Sequence, residues 1–395
     1  MYMKLKISDD SLIIFVYILS FVMLFGQFMG ISVITSLAFT VSFVVVFAIW
    51  CLHIKKAGVL DILAIFIIAL SFIGVIATYT TLSVSYFYNW LMFAAVFLYF
   101  SVCFKIKIKK STLKTLFVIN FLVGLSCLIA YILRYNDAYY VTNIGVRYLT
   151  FDFYNPNSLA IFLVVITITG MQFFSLYKLK FRLLIEICFI GVFLFFIFQT
   201  LSRTSLLVIA FFMIISIVFS RKKHYYIPQN GLFKFLVTVF PLLFALFYML
   251  VIDYINSSGF LSFLVSEGKG LDSREYVWKY AFELFQKSPL IGSYGYLATE
   301  SEFSHLHNSH INILVSYGVV VFALVMVFIY IALDKSLKKS KGTQRAFAAW
   351  AFIVCLVLGA GESILFSGGL SFYLLVGQFL LVINADEDNR GELGL

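Results

Sequence analysis

Apolar runs of about 18 to 25 residues follow one another along this chain, parted by polar breaks of which every second one is rich in lysine and arginine. A run of that length, wound as a helix, crosses the ~30 Å hydrocarbon core of a bilayer. Twelve such helices are predicted: 11–29, 31–53, 59–79, 86–104, 115–133, 156–177, 182–200, 204–220, 232–252, 308–333, 345–362 and 367–384. The four prolines in the chain suit long unbroken helices. One break is unlike the others. Residues 253–307 carry eleven charged side chains and end in Ser304-His305-Leu306-His307-Asn308-Ser309-His310. The expected fold class is therefore an all-α polytopic membrane protein of about twelve transmembrane helices. It reads as one integral membrane domain over 1–395, with a large loop between spans 9 and 10.

Composition changes the picture only by excluding a soluble chain. Hydrophobic residues make up 62% and charged residues 12%, against roughly one-half and one-quarter in a soluble domain. Charge adds direction. With the N-terminus in the cytoplasm, the inside segments 1–10, 54–58, 105–114, 178–182, 221–234, 334–345 and the tail hold 22 of the 29 Lys and Arg. That bias is what the positive-inside rule expects. It places both termini in the cytoplasm and the 253–307 loop outside. The net charge of +10 is mostly this topology signal, and its dispersal over short turns speaks against a nucleic-acid partner. Met1–Lys6 and the run after it read as an uncleaved first helix, since no small-x-small cleavage site follows cleanly. Cys51, Cys103, Cys127, Cys188 and Cys355 all fall in or at the ends of spans. They read as small packing residues without disulfide or zinc.

Chemistry is expected on the outer face, where polar side chains escape the bilayer's penalty. Asp272-Ser273-Arg274-Glu275 opens a helix by its capping residues. Val277, Tyr280, Ala281, Leu284 and Phe285 then form one apolar face over about 274–287. Ser288-Pro289-Leu290-Ile291-Gly292 stops it, and Gly292 and Gly295 supply turns. A shorter outer segment, 134–155, contains Arg134, Asp137, Arg147 and Asp152. Arg203 interrupts a nearly apolar stretch at a turn that the topology makes very tight. Two readings of it stand side by side, a snorkelling residue that pins the hairpin and an anion ligand.

Guanidinium binds phosphate oxygens bidentately and keeps its charge. Arg203 and Arg274, helped by Arg134, Arg147 and Lys269, can hold a diphosphate at the outer face. A neutral imidazole, whose ordinary pKa is about 6.5, can take a proton from a sugar hydroxyl beside it. His305, His307 and His310 are the candidates. Read as a metal cluster, their spacing is weak even with Glu300 and Glu302 nearby; read blandly, they are loop and helix-cap residues. No metal and no cofactor is expected. Asp61, Glu186 and Glu362 are read as helix-end residues.

Four segments together resemble the O-antigen polymerase and ligase superfamily of bacterial membrane glycosyltransferases. They are Tyr154-Asn155-Pro156-Asn157-Ser158-Leu159-Ala160, Leu201-Ser202-Arg203-Thr204-Ser205, Asp272-Ser273-Arg274 with Trp278 and Ser288-Pro289-Leu290-Ile291-Gly292-Ser293-Tyr294-Gly295, and His307-Asn308-Ser309-His310-Ile311 with Leu314 and Tyr317-Gly318. The resemblance implies a GT-C-like membrane glycosyltransferase that needs no metal and takes an undecaprenyl-diphosphate-linked glycan as donor. It implies Arg203 and Arg274 at the donor diphosphate and His307 as base, ahead of His310 and then His305. Where the usual pattern ends His-Asn-small-aromatic, His310 holds the aromatic position. Arg147, Arg134, Lys269, His310, Asn308 and His305 are expected at the substrate, and Trp278 and Tyr294 in its grooves.

The expectation is thus a polymerase of a bacterial surface polysaccharide, O-antigen or capsule, in the cell membrane with an extracytoplasmic active site. Expected partners are the lipid-linked oligosaccharide, the bilayer, and the flippase and chain-length regulator of the same pathway. A ligase that moves the polymer to another acceptor is the alternative. A flippase or secondary transporter is a third reading, which predicts mid-bilayer charges and broken helices in two related halves.

Overall fold

The computed structural model of the chain describes residues 8–78, 84–141, 145, 147–151, 156–176, 181–220, 227–258, 272–294, 306–340, 343–363 and 370–385. Within them lie α1 (Asp9–Phe28), α2 (Ser32–Leu52), α3 (Val59–Thr78), α4 (Val84–Lys105), α5 (Lys110–Leu133), α6 (Pro156–Leu176), α7 (Arg182–Gln199), α8 (Arg203–Ser220), α9 (Gly231–Ser258), α10 (Asp272–Lys287), α11 (Ser309–Lys339), α12 (Thr343–Leu358) and α13 (Leu370–Asn384). Strands β1 (Tyr139–Val141) and β2 (Arg147–Leu149) pair antiparallel, Tyr140 opposite Tyr148. Helices α1 to α6, α9 and α11 are long and apolar enough to cross a membrane; α7, α8, α12 and α13 are apolar but shorter. The chain is mostly helical with many apolar spans, as a polytopic membrane protein requires.

Burial sorts these helices. From Phe372 to Asn384, every side chain of α13 is buried, and the helix packs on α1, α4, α5, α6, α11 and α12. An apolar helix with no polar face belongs in such a centre. By contrast α2 and α9 leave Val33, Leu37, Phe247 and Leu250 exposed, side chains for which hydrocarbon is the natural solvent.

Among the boundaries that differ from the predicted ones, two matter for the site. The eleventh span was expected to run to residue 362, but α12 stops at Leu358. There Gly359, Ala360 and Gly361 turn back onto the carbonyls of Leu356, Val357 and Leu358 (3.1, 3.0 and 3.2 Å). Glu362 thus sits beyond the helix, on an irregular segment. The tenth span is longer than expected. At 31 residues, α11 would measure about 46 Å, more than a bilayer needs. It is broken at Gly318, whose φ of 77° and ψ of 174° leave the helix. The 21 residues from Val319 to Lys339 span about 31 Å, and Ser309–Tyr317 form a separate short helix in front of them.

The loop after α10 fills the break. Val319 N–H donates to Pro289 O (2.8 Å) and Ser293 N–H to Val315 O (2.7 Å), so backbone groups freed by the break find partners. Gly292 and Gly318 both have positive φ, and a Cβ on either would strike the other's backbone neighbours, Ser316 and Tyr317 or Leu290 and Ile291. Only glycine fits both the angle and the space.

Hydrogen bonds also join helix ends into two groups. At the lysine-rich ends, Asp10 accepts from Lys109 N (3.0 Å) and Thr112 Oγ1 (2.6 Å), Asp9 pairs with His53 (2.9 Å), and Arg345 donates to Ala385 O (2.7 Å). There Asp61, in the first turn of α3, accepts from Trp50 Nε1 (2.9 Å), Gly58 N (2.8 Å) and Ser101 Oγ and pairs with Lys105. The candidate site lies at the opposite ends.

Candidate active site

The three residues predicted to do chemistry all sit at the start of a helix. Arg203 is the first residue of α8, Arg274 the third of α10, and His307 immediately precedes Asn308, the N-cap of α11. Unpaired N–H groups make a helix N-terminus partly positive. An arginine there works against the helix by about 0.3–1 kcal/mol, a cost that an anion held between the arginine and the N-terminus removes.

Glu362 draws these helix starts together. Its carboxylate is buried, 3% exposed, and receives His307 Nδ1 at 3.2 and 3.3 Å; Arg274 Nη2 lies 3.7 Å away. His307 and Arg274 are each 28% exposed, so both reach from the buried acid toward open space. The start of α8 arrives by packing, since Thr204 lies so close to Gly361 that a Cβ there would collide with it. Arg203, half-buried, directly precedes Thr204 at this contact. The α7–α8 turn is as tight as expected. It takes only Thr200 to Ser202 and needs positive φ at Leu201 (54°).

Local sequence explains the pose of His307. Its φ of 48° is left-handed, which histidine tolerates better than most residues but which still costs about 1–3 kcal/mol. Both neighbours are tied down. Trp278 Nε1 donates to Leu306 O (2.7 Å), while Asn308 Oδ1 accepts from His310 N and Ile311 N (3.0 Å each). Ser309 fixes the acid's segment to the same place, with its N–H on Gly359 O (2.9 Å) and its Oγ on Glu362 O (2.8 Å). With Nδ1 turned to Glu362, Nε2 is the nitrogen left to face a reactant, the arrangement by which a carboxylate fixes a tautomer and steadies the imidazolium that forms.

Other expected site residues go elsewhere. Asn308 is fully buried and His310 is 1% exposed. Both were expected at the substrate, but their side chains are committed to backbone groups of α9, α11 and the 359–363 segment. Trp278 was expected in a groove and is entirely buried among Tyr248, Ala245, Ile311 and Val315 under α10. Its neighbours Val277, Ala281 and Leu284 are buried with it, so the inner face of α10 is turned one position from the predicted one, with Tyr280 and Phe285 only partly buried. Tyr294 is buried too, stacked on Tyr317 at 5.4 Å. Arg134 donates to Phe28 O (2.7 Å) and joins the ends of α5 and α1. Arg147 lies 4.7 Å over the Tyr139 ring, whose hydroxyl reaches Gln199 Oε1 (3.5 Å) at the end of α7; the hairpin thereby stands beside the turn that carries Arg203. Lys269, His305, Asp152, Gly295, Glu300 and Glu302 lie outside the described residues.

Glu362 is the residue that sequence reasoning missed, because it was read as the end of a span. The signal available was a lone acid directly after Gly359-Ala360-Gly361 in a run of apolar sequence, where a helix has reason to stop and a carboxylate needs a partner.

Residues 187–326 match a family model described as O-antigen ligase. The match supports the O-antigen polymerase and ligase superfamily that the motifs resemble. It spans most of α7, all of α8, α9 and α10, and about half of α11, and so includes Arg203, Arg274 and His307; Glu362, Arg134 and Arg147 lie beyond it. Comparisons with curated proteins and with solved structures gave no match. The match supports an activity of the membrane glycosyltransferase or ligase type.

Proposed function

We propose that the protein is a polymerase of a bacterial surface polysaccharide. It moves a glycan chain from undecaprenyl diphosphate to the acceptor hydroxyl of a lipid-linked repeat unit, at the outer face of the cell membrane. All twelve apolar helices span the membrane in this reading, with the lysine-rich ends in the cytoplasm. The observation that carries it is the convergence on Glu362: one buried carboxylate holds an imidazole and a guanidinium and packs beside the helix start bearing a second guanidinium.

The chemistry follows from those groups. Arg203 and Arg274, with the N-termini of α8 and α10, hold the donor's diphosphate. His307 Nε2 takes the proton of the acceptor hydroxyl as that oxygen bonds to the donor's anomeric carbon. The bond from that carbon to the phosphate oxygen breaks, and its electron pair leaves on the diphosphate. Arginines at this position stabilise charge that develops only as the bond breaks, which is where preorganised charge lowers a barrier. Glu362 steadies the imidazolium until its proton is lost to solvent. Arg147 and Lys269 extend the basic surface in this reading.

The matched family model is described as a ligase, and that observation favours one second reading: transfer of the finished polymer to a different acceptor by the same groups. One experiment separates the two. Purified protein is given a lipid-diphosphate-linked repeat in EDTA, alongside Arg274→Ala and His307→Ala. A ladder of lengthening chains from the wild type, lost in both folded variants, supports the polymerase and its independence of metal. No ladder on the cognate repeat, with transfer to an added non-repeat acceptor, moves the assignment to the ligase.

A further inference from the structure

We infer that Asn308 and His310 are positioning residues, which hold His307 in register with Glu362 by fastening the start of α11 to the turn of α9 around Pro241. The inference rests on the proposed role of His307 as base.

Proline has no N–H, so Pro241, inside α9, leaves the carbonyl of Val237 without its helix donor. Pro241 faces inward, on the same buried stripe of α9 as Thr238 and Ala245. Two carbonyls of this turn accept from α11. His310 Nε2 donates to Thr238 O (2.7 Å), and Asn308 Nδ2 donates to Pro241 O (2.7 Å). Asn308 Nδ2 also reaches Ala360 O (3.2 Å). A single amide therefore joins α9, the cap of α11 and the segment that carries Glu362. An asparagine side chain has two N–H donors and one oxygen with two lone pairs. All are used here, since Oδ1 takes the N–H groups of His310 and Ile311.

Neither side chain can reach an acceptor sugar, because both are shut away from the surface. What they control is the adjacent residue. His307 is left-handed and immediately precedes the clamp, so a slip of the α11 cap relative to 359–363 moves Nδ1 off the Glu362 carboxylate. Arg203 and Arg274 stand on other helices and keep their places. The clamp therefore acts on the proton-transfer step and not on donor binding.

The test uses the full-length protein in detergent with its lipid-linked repeat, and follows kcat, donor KM and thermal unfolding together. Asn308→Ser keeps an oxygen for the cap but loses the amide donors. It is expected to lower kcat roughly 30- to 100-fold, as a displacement near 1 Å does, with donor KM within about twofold. His310→Gln retains a donor for Thr238 O and should keep most activity, whereas His310→Leu should not. The His310 pair keeps the clamp testable if Asn308→Ser does not fold: kcat of His310→Leu should fall about tenfold below that of His310→Gln, at unchanged donor KM. In a His307→Ala background, Asn308→Ser should add no further loss. A multiplicative loss there, or a raised donor KM at unchanged kcat, overturns the positioning role and leaves the proposed function standing. Wild-type kcat in His307→Ala itself overturns the base, and the clamp's purpose with it.

Discussion

Two buried carboxylates, at opposite ends of the helices, are treated very differently. Asp61 is enclosed by Trp50, the Gly58 N–H, Ser101 and Lys105, and its ion-pair partner is itself only 7% exposed. Glu362 is as deeply buried, yet its side-chain partners stand farther off and are each 28% exposed. A carboxylate with its lone pairs filled by close, buried donors is a latch: it joins α2, α3 and α4 and has nothing left to give. One held loosely by an imidazole and a guanidinium that face outward can exchange partners and share a proton. Burial alone does not separate structure from function; the exposure of the partners does.

Several substitutions would break or sharpen this contrast. The largest effect is expected from His307→Ala, which removes the base and should lower the chain-transfer rate by about 10³-fold, within the range that a general base supplies, while the thermal midpoint stays near the wild type. Initial rates on a lipid-linked repeat check it; a rate within tenfold of wild type would falsify the assignment. Asp61→Asn should do the converse. Leaving Lys105 unpaired in a buried site should cost about 3–5 kcal/mol of stability, seen as a lower midpoint in detergent, with kcat per folded molecule unchanged. Glu362→Gln preserves shape and removes the charge behind the imidazole, so kcat should fall by about 10- to 100-fold with little change in unfolding. If it instead unfolds the protein as Asp61→Asn does, the two acids are alike and the contrast is lost. The smallest effect belongs to Arg147→Ala. Its contact with the Tyr139 face is worth about 0.5–1 kcal/mol, so donor KM should rise no more than about fivefold in a titration of the lipid-linked substrate.

Much of the architecture is legible from the order of residues because a bilayer allows few solutions. An apolar run of about 20 residues must satisfy its backbone within itself, and a helix does so. The thirteen α-helices among the described residues accordingly lie within a few residues of the apolar runs and the amphipathic stretch. Exceptions occur where the reason is a neighbour. Nothing local in Ser309–Lys339 marks Gly318 as a break rather than one glycine in a helix; the loop from Pro289 to Ser293 makes the break affordable by supplying the missing backbone partners. Likewise Trp278 reads as a groove residue until α10 is seen to lie with it inward.

The chemistry of the site divides in the same way. Arg203, Arg274 and His307 are proposed from sequence because a guanidinium can hold a diphosphate and an imidazole can take a proton, and because their order resembles a known family. The residue that brings them together could not. Glu362 lies 55 positions after His307 and 88 after Arg274, and its partners are set by how the 359–363 segment folds over the starts of α8 and α11. Asn308 and His310 show the reverse case: their place beside His307 in sequence suggests contact with substrate, but packing turns both inward onto α9. Sequence by itself therefore determined the helices, the segregation of lysine and arginine and the kinds of reactive group present, all of which follow from each residue's own dealings with lipid and water. Only the tertiary structure decided which of those groups face one another, since a pairing between distant residues is a property of how helices pack and is carried by no single stretch of chain.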